Sequence, residues 1–211
     1  MNPRHLVLPA FAIAALAALL AACAGSCPAP GAAALILAPA QSSITATAIK
    51  NETKAVPVRF PGLSGWADPL SGTARLTIPL ATLSTGDPAR DSNVRTLFFE
   101  VGKATGYDQA QFSLNGVEGD LAKLGDEQSL TATAKGSLAL HGASLDLQGL
   151  LVFSRQGSAW TVVLGDGWTV PIDKTSLVDA LANLNKNCPQ PHRVGNLVSL
   201  SGHLVFLPKA E

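Results

Sequence analysis

The chain has 211 residues, which is room for one domain plus a targeting segment. Fifteen basic residues balance fifteen acidic ones, so neither the basic excess of a nucleic-acid binder nor an acidic disordered tail is present. Only 14% of the residues are charged against 47% hydrophobic, enough for a core with apolar surface to spare.

Residues 1–22 read as a signal peptide. Arg4 and His5 form a cationic start, and residues 6–20 are an alanine- and leucine-rich run. At about fifteen residues the run is shorter than the roughly 20 a spanning helix needs. It ends in Leu20-Ala21-Ala22-Cys23, which resembles the lipobox of bacterial lipoproteins. That resemblance implies diacylation of Cys23, cleavage before it and membrane attachment without a spanning helix. Plain secretory cleavage at the same small residues is the alternative. Ala24 follows the cysteine in place of Asp, which by the same resemblance favours the outer membrane of a two-membrane cell. With Cys23 acylated, Cys27 and Cys188 remain as an even pair in an oxidising compartment, either bridged or as two thiols.

Residues 23–33 are small, contain Pro and Gly, and read as a flexible tether, leaving 34–211 as the domain. From there the apolar residues recur with a period of two. Ile44, Ala46 and Ala48 alternate with Ser43, Thr45 and Thr47, and a short strand is expected at 56–60. Ala74, Leu76 and Ile78 alternate with Thr73, Arg75 and Thr77. Asp87 then caps a helix with Pro88 at its first position and a Val94, Leu97, Phe98 apolar stripe. A short strand follows at 111–114. Residues 130–140 put Leu130, Ala132, Ala134, Gly136, Leu138 and Leu140 on one face, and His141-Gly142 turns the chain. The returning strand carries Leu145, Leu147, Gly149, Leu151 and Phe153, which makes a long hairpin. Trp160, Val162 and Leu164 form another strand. Ser176 and Asp179 resemble a capping box before Leu177, Leu181 and Leu184. Residues 198–206 form the last strand.

About eight largely antiparallel strands, each with one apolar face, make an all-β barrel or sandwich with one or two short helices. The many Ala and Gly on the apolar faces lean towards the hollow form, because small inward residues leave room for a guest.

Three blocks resemble a known family. The strand and turn 72–86, then Arg90-Asp91-Ser92-Asn93-Val94-Arg95-Thr96-Leu97-Phe98-Phe99-Glu100-Val101, then Gly136-Ser137-Leu138-Ala139-Leu140-His141-Gly142, are similar in order and spacing to the YceI-like family. Tyr107 to Phe112 continues the pattern. The resemblance implies an extended antiparallel, lipocalin-like barrel. In that family the barrel holds a polyisoprenoid, such as a quinone tail or polyprenyl chain, as a binder and not an enzyme. The sequence departs from the pattern at Asn93, where the family often has His, at Tyr107-Asp108, which replaces a Tyr-Pro pair, and at the extra residues Ala104-Thr105-Gly106. Residues 170–196 do not match it. These departures concern one end of the barrel.

The wall of such a channel is expected from Phe60, Trp66, Leu76, Ile78, Phe98, Phe99, Phe112, Leu138, Leu140, Leu147, Leu151, Phe153, Leu164, Leu204 and Phe206. Arg90, Asp91 and Arg95 are candidates to meet a quinone carbonyl or phosphate head group, or else form local ion pairs that fix the helix. His141, His192 and His203 lack metal-site spacing, and His141 and His203 fall on the outward phase of their strands. No nucleophile elbow or Cys/His signature is found, so no catalytic residue or metal is expected. The functional expectation is a membrane-anchored lipid binder on the periplasmic side, with no cofactor besides a bound polyisoprenoid or quinone. The alternative is an envelope assembly module with a filled barrel and a protein partner. Self-association is left open.

Overall fold

The computed structural model describes residues 34–187 and 193–209. The signal-peptide, Cys23 and Cys27–Cys188 expectations therefore lie outside the described residues, as does His192.

Eleven antiparallel strands form one sheet: β1 (Leu35–Leu37), β2 (Ser43–Lys50), β3 (Lys54–Arg59), β4 (Ser64–Asp68), β5 (Thr73–Pro79), β6 (Gln109–Val117), β7 (Ser129–Leu140), β8 (Ala143–Gln156), β9 (Ala159–Leu164), β10 (Thr169–Pro171) and β11 (Val194–Pro208). The sheet closes because β1 pairs with both β4 and β11. The closed ring runs β1-β4-β5-β6-β7-β8-β9-β11, a barrel of eight strand positions.

The other three strands continue neighbours within that ring. β11 pairs with β1 near Phe206 and with β2 from His203 back to Val194, so β1 and β2 form one interrupted strand. On its other edge β11 meets β9 and then β10. β3 extends β4 in the same way, pairing with β2 where β4 pairs with β1. The breaks fall where the chain inserts a turn: Pro39–Gln41 forms a 3₁₀ turn between β1 and β2. Of these elements, β1, β4 and β10 were not expected from sequence. Their pairing along continuous neighbours, not their composition, makes them strands.

The long hairpin forms as the alternation predicts, with unbroken register from Ser129↔Ser154 to Leu140↔Ala143. His141 (φ 51) and Gly142 (φ 75) take left-handed conformations, the backbone of a tight two-residue turn that matches strand twist. Ala132, Ala134, Leu138 and Leu140 are buried on the inner face, together with Leu147, Leu151 and Phe153 from β8.

Two α-helices cover one end. The Asp87 carboxylate accepts from the amides of Ala89 and Arg90 and caps α1 (Pro88–Asn93), as expected. The chain then widens into a π-type turn over Val94–Phe98. The second helix, α2 (Val178–Asn187), starts differently from the expected capping box. Thr175 Oγ1 accepts from the Leu177 amide, while the Ser176 hydroxyl donates to the carbonyl of His141, 2.6 Å away. Ser176 is spent on the barrel rim, so it cannot cap.

Candidate functional site

The inner faces of the strands enclose a cavity of about 170 Å³. It reaches from Pro69, Gly72 and Thr73 on the β4–β5 turn to Leu140, Ile172 and Leu177 under the helices, so the lining spans the length of the barrel. A second chamber of about 480 Å³ lies at the helix-bearing end, between α1, α2 and the strands β2, β3 and β11. Ala46, Phe60, Phe98, Phe99, Ile172 and Val198 line both spaces, which therefore adjoin. Either volume far exceeds the roughly 10–15 Å³ that one water occupies.

Every expected wall residue except Trp66 lines the first cavity. Trp66 points outward. It pairs with Arg75 across β4–β5, while Gly65 pairs with Leu76 and Ala67 with Ala74, so the inward phase of β4 falls on Gly65 and Ala67. Aromatic bulk suggested a wall residue, and strand parity overrides it.

Of the small inward residues, Ala46, Ala67, Ala74 and Ala110 line the cavity as expected, but two glycines act differently. A Cβ on Gly136 would run into the Phe112 ring and the Ser113 carbonyl oxygen, 2.6 Å away. One on Gly149 would lie 2.7 Å from Trp168 Nε1. These glycines do not leave space for a guest; they seat the rings of Phe112 and Trp168, which meet edge to face at 5.5 Å. Trp168 is buried, and its Nε1–H donates to the Leu150 carbonyl at 2.8 Å. It lines the channel with Val170, Ile172 and Leu177, the last three from the segment 170–196 that did not match the family pattern. Trp168, Val170 and Ile172 do alternate, but across a strand of three residues that is recognisable only by its pairing with β11, and Leu177 lies beyond it.

Of the head-group candidates, only Arg90 lines a cavity, together with Lys50, Thr85, Asp87 and Asn93 at the second chamber. Arg90 also pairs with Asp87 at 3.4 Å. Asp91 is buried, and its Oδ1 accepts from both the amide and the hydroxyl of Thr85 at 2.6 Å. The Thr85 hydroxyl bond, aided by Arg95, holds the Asp91 carboxyl below its ordinary value against the opposing effect of burial. Arg95 donates to the Leu83 carbonyl at 3.4 Å. Asp91 and Arg95 thus fix α1 and its approach loop, and Lys50 is the cation that sequence reasoning missed. It lies 40 residues upstream of Arg90 and lines the same chamber only because the tertiary fold sets β2 opposite α1.

His141 is not on an outward phase but buried in the hairpin turn, with 7% of its surface exposed. Its Nε2 lies 3.1 Å from Glu100 Oε2, its Nδ1 3.2 Å from Ser176 Oγ, and Tyr107 stacks on the ring at 3.7 Å. Glu100 is held below its ordinary pKa chiefly by the Lys103 ammonium and further by His141. None of these groups lines either cavity; they tie the π-type turn and the start of α2 to the β7–β8 turn. His203 is exposed, as expected, with Nδ1 3.2 Å from the Gln41 carbonyl. Among the described residues no three metal-ligating side chains cluster, and no helix is long and apolar enough to cross a membrane.

A closed antiparallel barrel with an apolar interior defines the class of small β-barrel binding proteins. The YceI-like domain pattern matches residues 36–205, and the chain belongs to that family. Among solved structures, a polyisoprenoid binding domain from Saccharophagus degradans, implicated in plant cell wall breakdown, is 21% identical with a TM-score of 0.71. The alignment covers 84% of this chain and 99% of that domain. BcnA of Burkholderia cenocepacia is 19% identical with a TM-score of 0.56, over 80% of this chain and 98% of that one. No curated protein sequence matches. At these identities the likeness establishes the fold, and the Saccharophagus domain, of which 99% is aligned, is itself a solved chain of about this barrel's extent.

Proposed function

We propose that this protein is an exported, membrane-tethered carrier that holds a long apolar lipid of the polyisoprenoid or isoprenoid-quinone class. The observation that carries this reading is the elongated apolar cavity, lined by inward residues of the strands and joined to a chamber with polar groups on its rim. Burying hydrocarbon yields about 0.8 kcal/mol per CH₂, so a chain threaded through such a space is held by length and needs few polar contacts. Arg90 and Lys50 at the second chamber are the donors for a head group, which places the apolar tail along the barrel. The lipobox-like Cys23 would supply the tether, and the polyisoprenoid named for the Saccharophagus domain supports the class of cargo. The filled-barrel alternative finds no support in an interior that retains this volume.

Organic extraction of the purified native protein, followed by mass spectrometry, tests the reading. A co-purifying lipid with an extended isoprenoid chain is the expected result. Ala46 borders both spaces, so Ala46→Phe narrows their junction and should lower lipid content about tenfold while the fold persists. Lipid-free protein from a native membrane source, folded by circular dichroism, would remove the basis of the proposal.

A further inference from the structure

The outward side chain of Trp66 has no role in the channel, and its neighbours suggest another one. Ile36 on β1 stands directly between Trp66 on β4 and Leu207 on β11 in the hydrogen-bonded register. The side chains on either side along these strands, Leu35, Leu37, Ala67 and Phe206, take the opposite phase. Three adjacent strands therefore present an apolar row on the outside of the barrel, at the end away from the helices. Ile36 is 40% exposed, and Leu207 and Trp66 are half-buried. Beyond them, at the tip of the β4–β5 turn, Leu70 is 70% exposed. It is held there by the Asp68 carboxylate, which accepts from the Leu70 amide at 3.0 Å.

We propose that this row and Leu70 form a docking face for a lipid bilayer. The chain itself indicates the occupant. Ala34 leads straight into β1, the middle strand of the row, and the ten residues 24–33 lie between it and Cys23. Fully extended, those ten residues reach at most about 36 Å. A chain held in a membrane at Cys23 keeps this end of the barrel within that distance, and one held by the apolar run ending at Leu20 keeps it within about 47 Å. Tryptophan suits the role because its ring is apolar and its N–H can remain hydrated at the interface. Arg75, paired across from Trp66, and Lys209 supply cations, and Asp68 one opposing charge, a balance that suits a weakly anionic surface. A second copy of the chain is a poorer fit. A stable dimer buries roughly 800 Å² per partner, more than four partly exposed side chains present, whereas shallow insertion into a fluid bilayer has no such threshold.

The inference rests on the membrane tether of the proposed function and goes beyond it, but does not depend on the barrel carrying a lipid. It does add one consequence: the channel lining reaches Pro69, Gly72 and Thr73 of the same turn, so docking would set that mouth against the membrane.

The test uses the barrel of residues 34–211, without the apolar run and first verified as folded by circular dichroism, and vesicles of phosphatidylcholine and phosphatidylglycerol. Trp160 and Trp168 are buried, so Trp66→Phe isolates the reporter. Vesicles should shift emission to the blue, and brominated phosphatidylcholine should quench it, with both effects absent in W66F. Leu70→Asp and Ile36→Asp should each weaken vesicle binding about tenfold. Ala46→Phe, which narrows the channel, should leave the Trp66 response unchanged. That keeps the docking face testable whether or not the barrel carries lipid. No vesicle-dependent change in Trp66 emission from folded protein overturns the proposal. So does concentration-dependent self-association abolished by L70D, which would assign the face to a second copy.

Discussion

The two halves of the barrel wall are built by different rules. From β5 to β8 each strand pairs with its sequence neighbour, and β7–β8 runs for twelve residues in one register. From β9 through β11 to β4 the wall is broken: β1/β2, β3/β4 and β9/β10 are interrupted strands. At the helix-bearing end the edge of β3 meets only a single bridge, Arg59↔Ser84. The continuous half is a meander of sequence neighbours, with one register shift between β6 and β7 at Leu114–Gly116. The broken half leaves a gap that α1, the π-type turn and α2 cover, and the larger chamber lies beneath that cover. The unbroken pairing and the larger chamber thus belong to different stretches of chain, although the first cavity is lined by both.

The largest effect expected from this contrast is in the continuous half. Gly136→Val places atoms against the Ser113 backbone, which cannot yield without breaking the β6–β7 ladder. Denaturant titration should show a loss of about 3 kcal/mol, the upper range for overpacking. A loss under about 1 kcal/mol would mean that this wall is softer than its register implies.

Where the helical cover is tied to the β7–β8 turn, His141→Ala removes the partner of Glu100 and Ser176 and the stacking surface of Tyr107. A loss of about 2 kcal/mol is expected, the cost of leaving buried polar groups unpaired. Hydrogen exchange should locate the damage in α2 and residues 94–101, with β7 and β8 amides still protected. Uniform loss of protection would abolish the distinction between the halves.

Asp91→Asn should cost about 1–2 kcal/mol, because a charged acceptor for two Thr85 donors becomes a neutral one. Its pH dependence has a definite sign. The folded-state pKa lies below the ordinary 3.8, so the contribution is complete above that value and is lost as pH falls through the folded pKa. Thermal melts should show wild type and Asn variant separated at neutral pH and converging in acid below that value. A constant gap down to strongly acid pH would contradict the assignment. The smallest effect is Lys135→Ala. The exposed pair with Glu118 spans 3.5 Å, and its loss should change stability by less than about 0.5 kcal/mol.

The legible parts of the fold were those governed by neighbours in the chain. The alternation of 130–140, its turn and return strand, and the Asp87–Pro88 start of α1 all form as read. The family blocks agree with the fold and with the match over residues 36–205. Errors arose where a residue's identity was read without its register. Trp66 is expected inside but its strand register turns it out, His141 is expected outside by extrapolating strand parity into a turn, and Ser176 is expected at a helix cap although its hydroxyl is spent on the His141 carbonyl. The inward glycines were read as empty space because nothing local reveals that Phe112 and Trp168 lie over them.

Amino-acid order alone determined the period-two faces, the turn chemistry and the family pattern, because these depend on sterics and hydrogen bonds within a few residues. Tertiary structure decided that the barrel closes through a three-residue strand joining β4 to β11, and that Lys50 and Arg90 border one chamber. It also decided which glycines are occupied by rings. Those outcomes rest on contacts between segments far apart in the chain, whose register is set only when the whole sheet has paired.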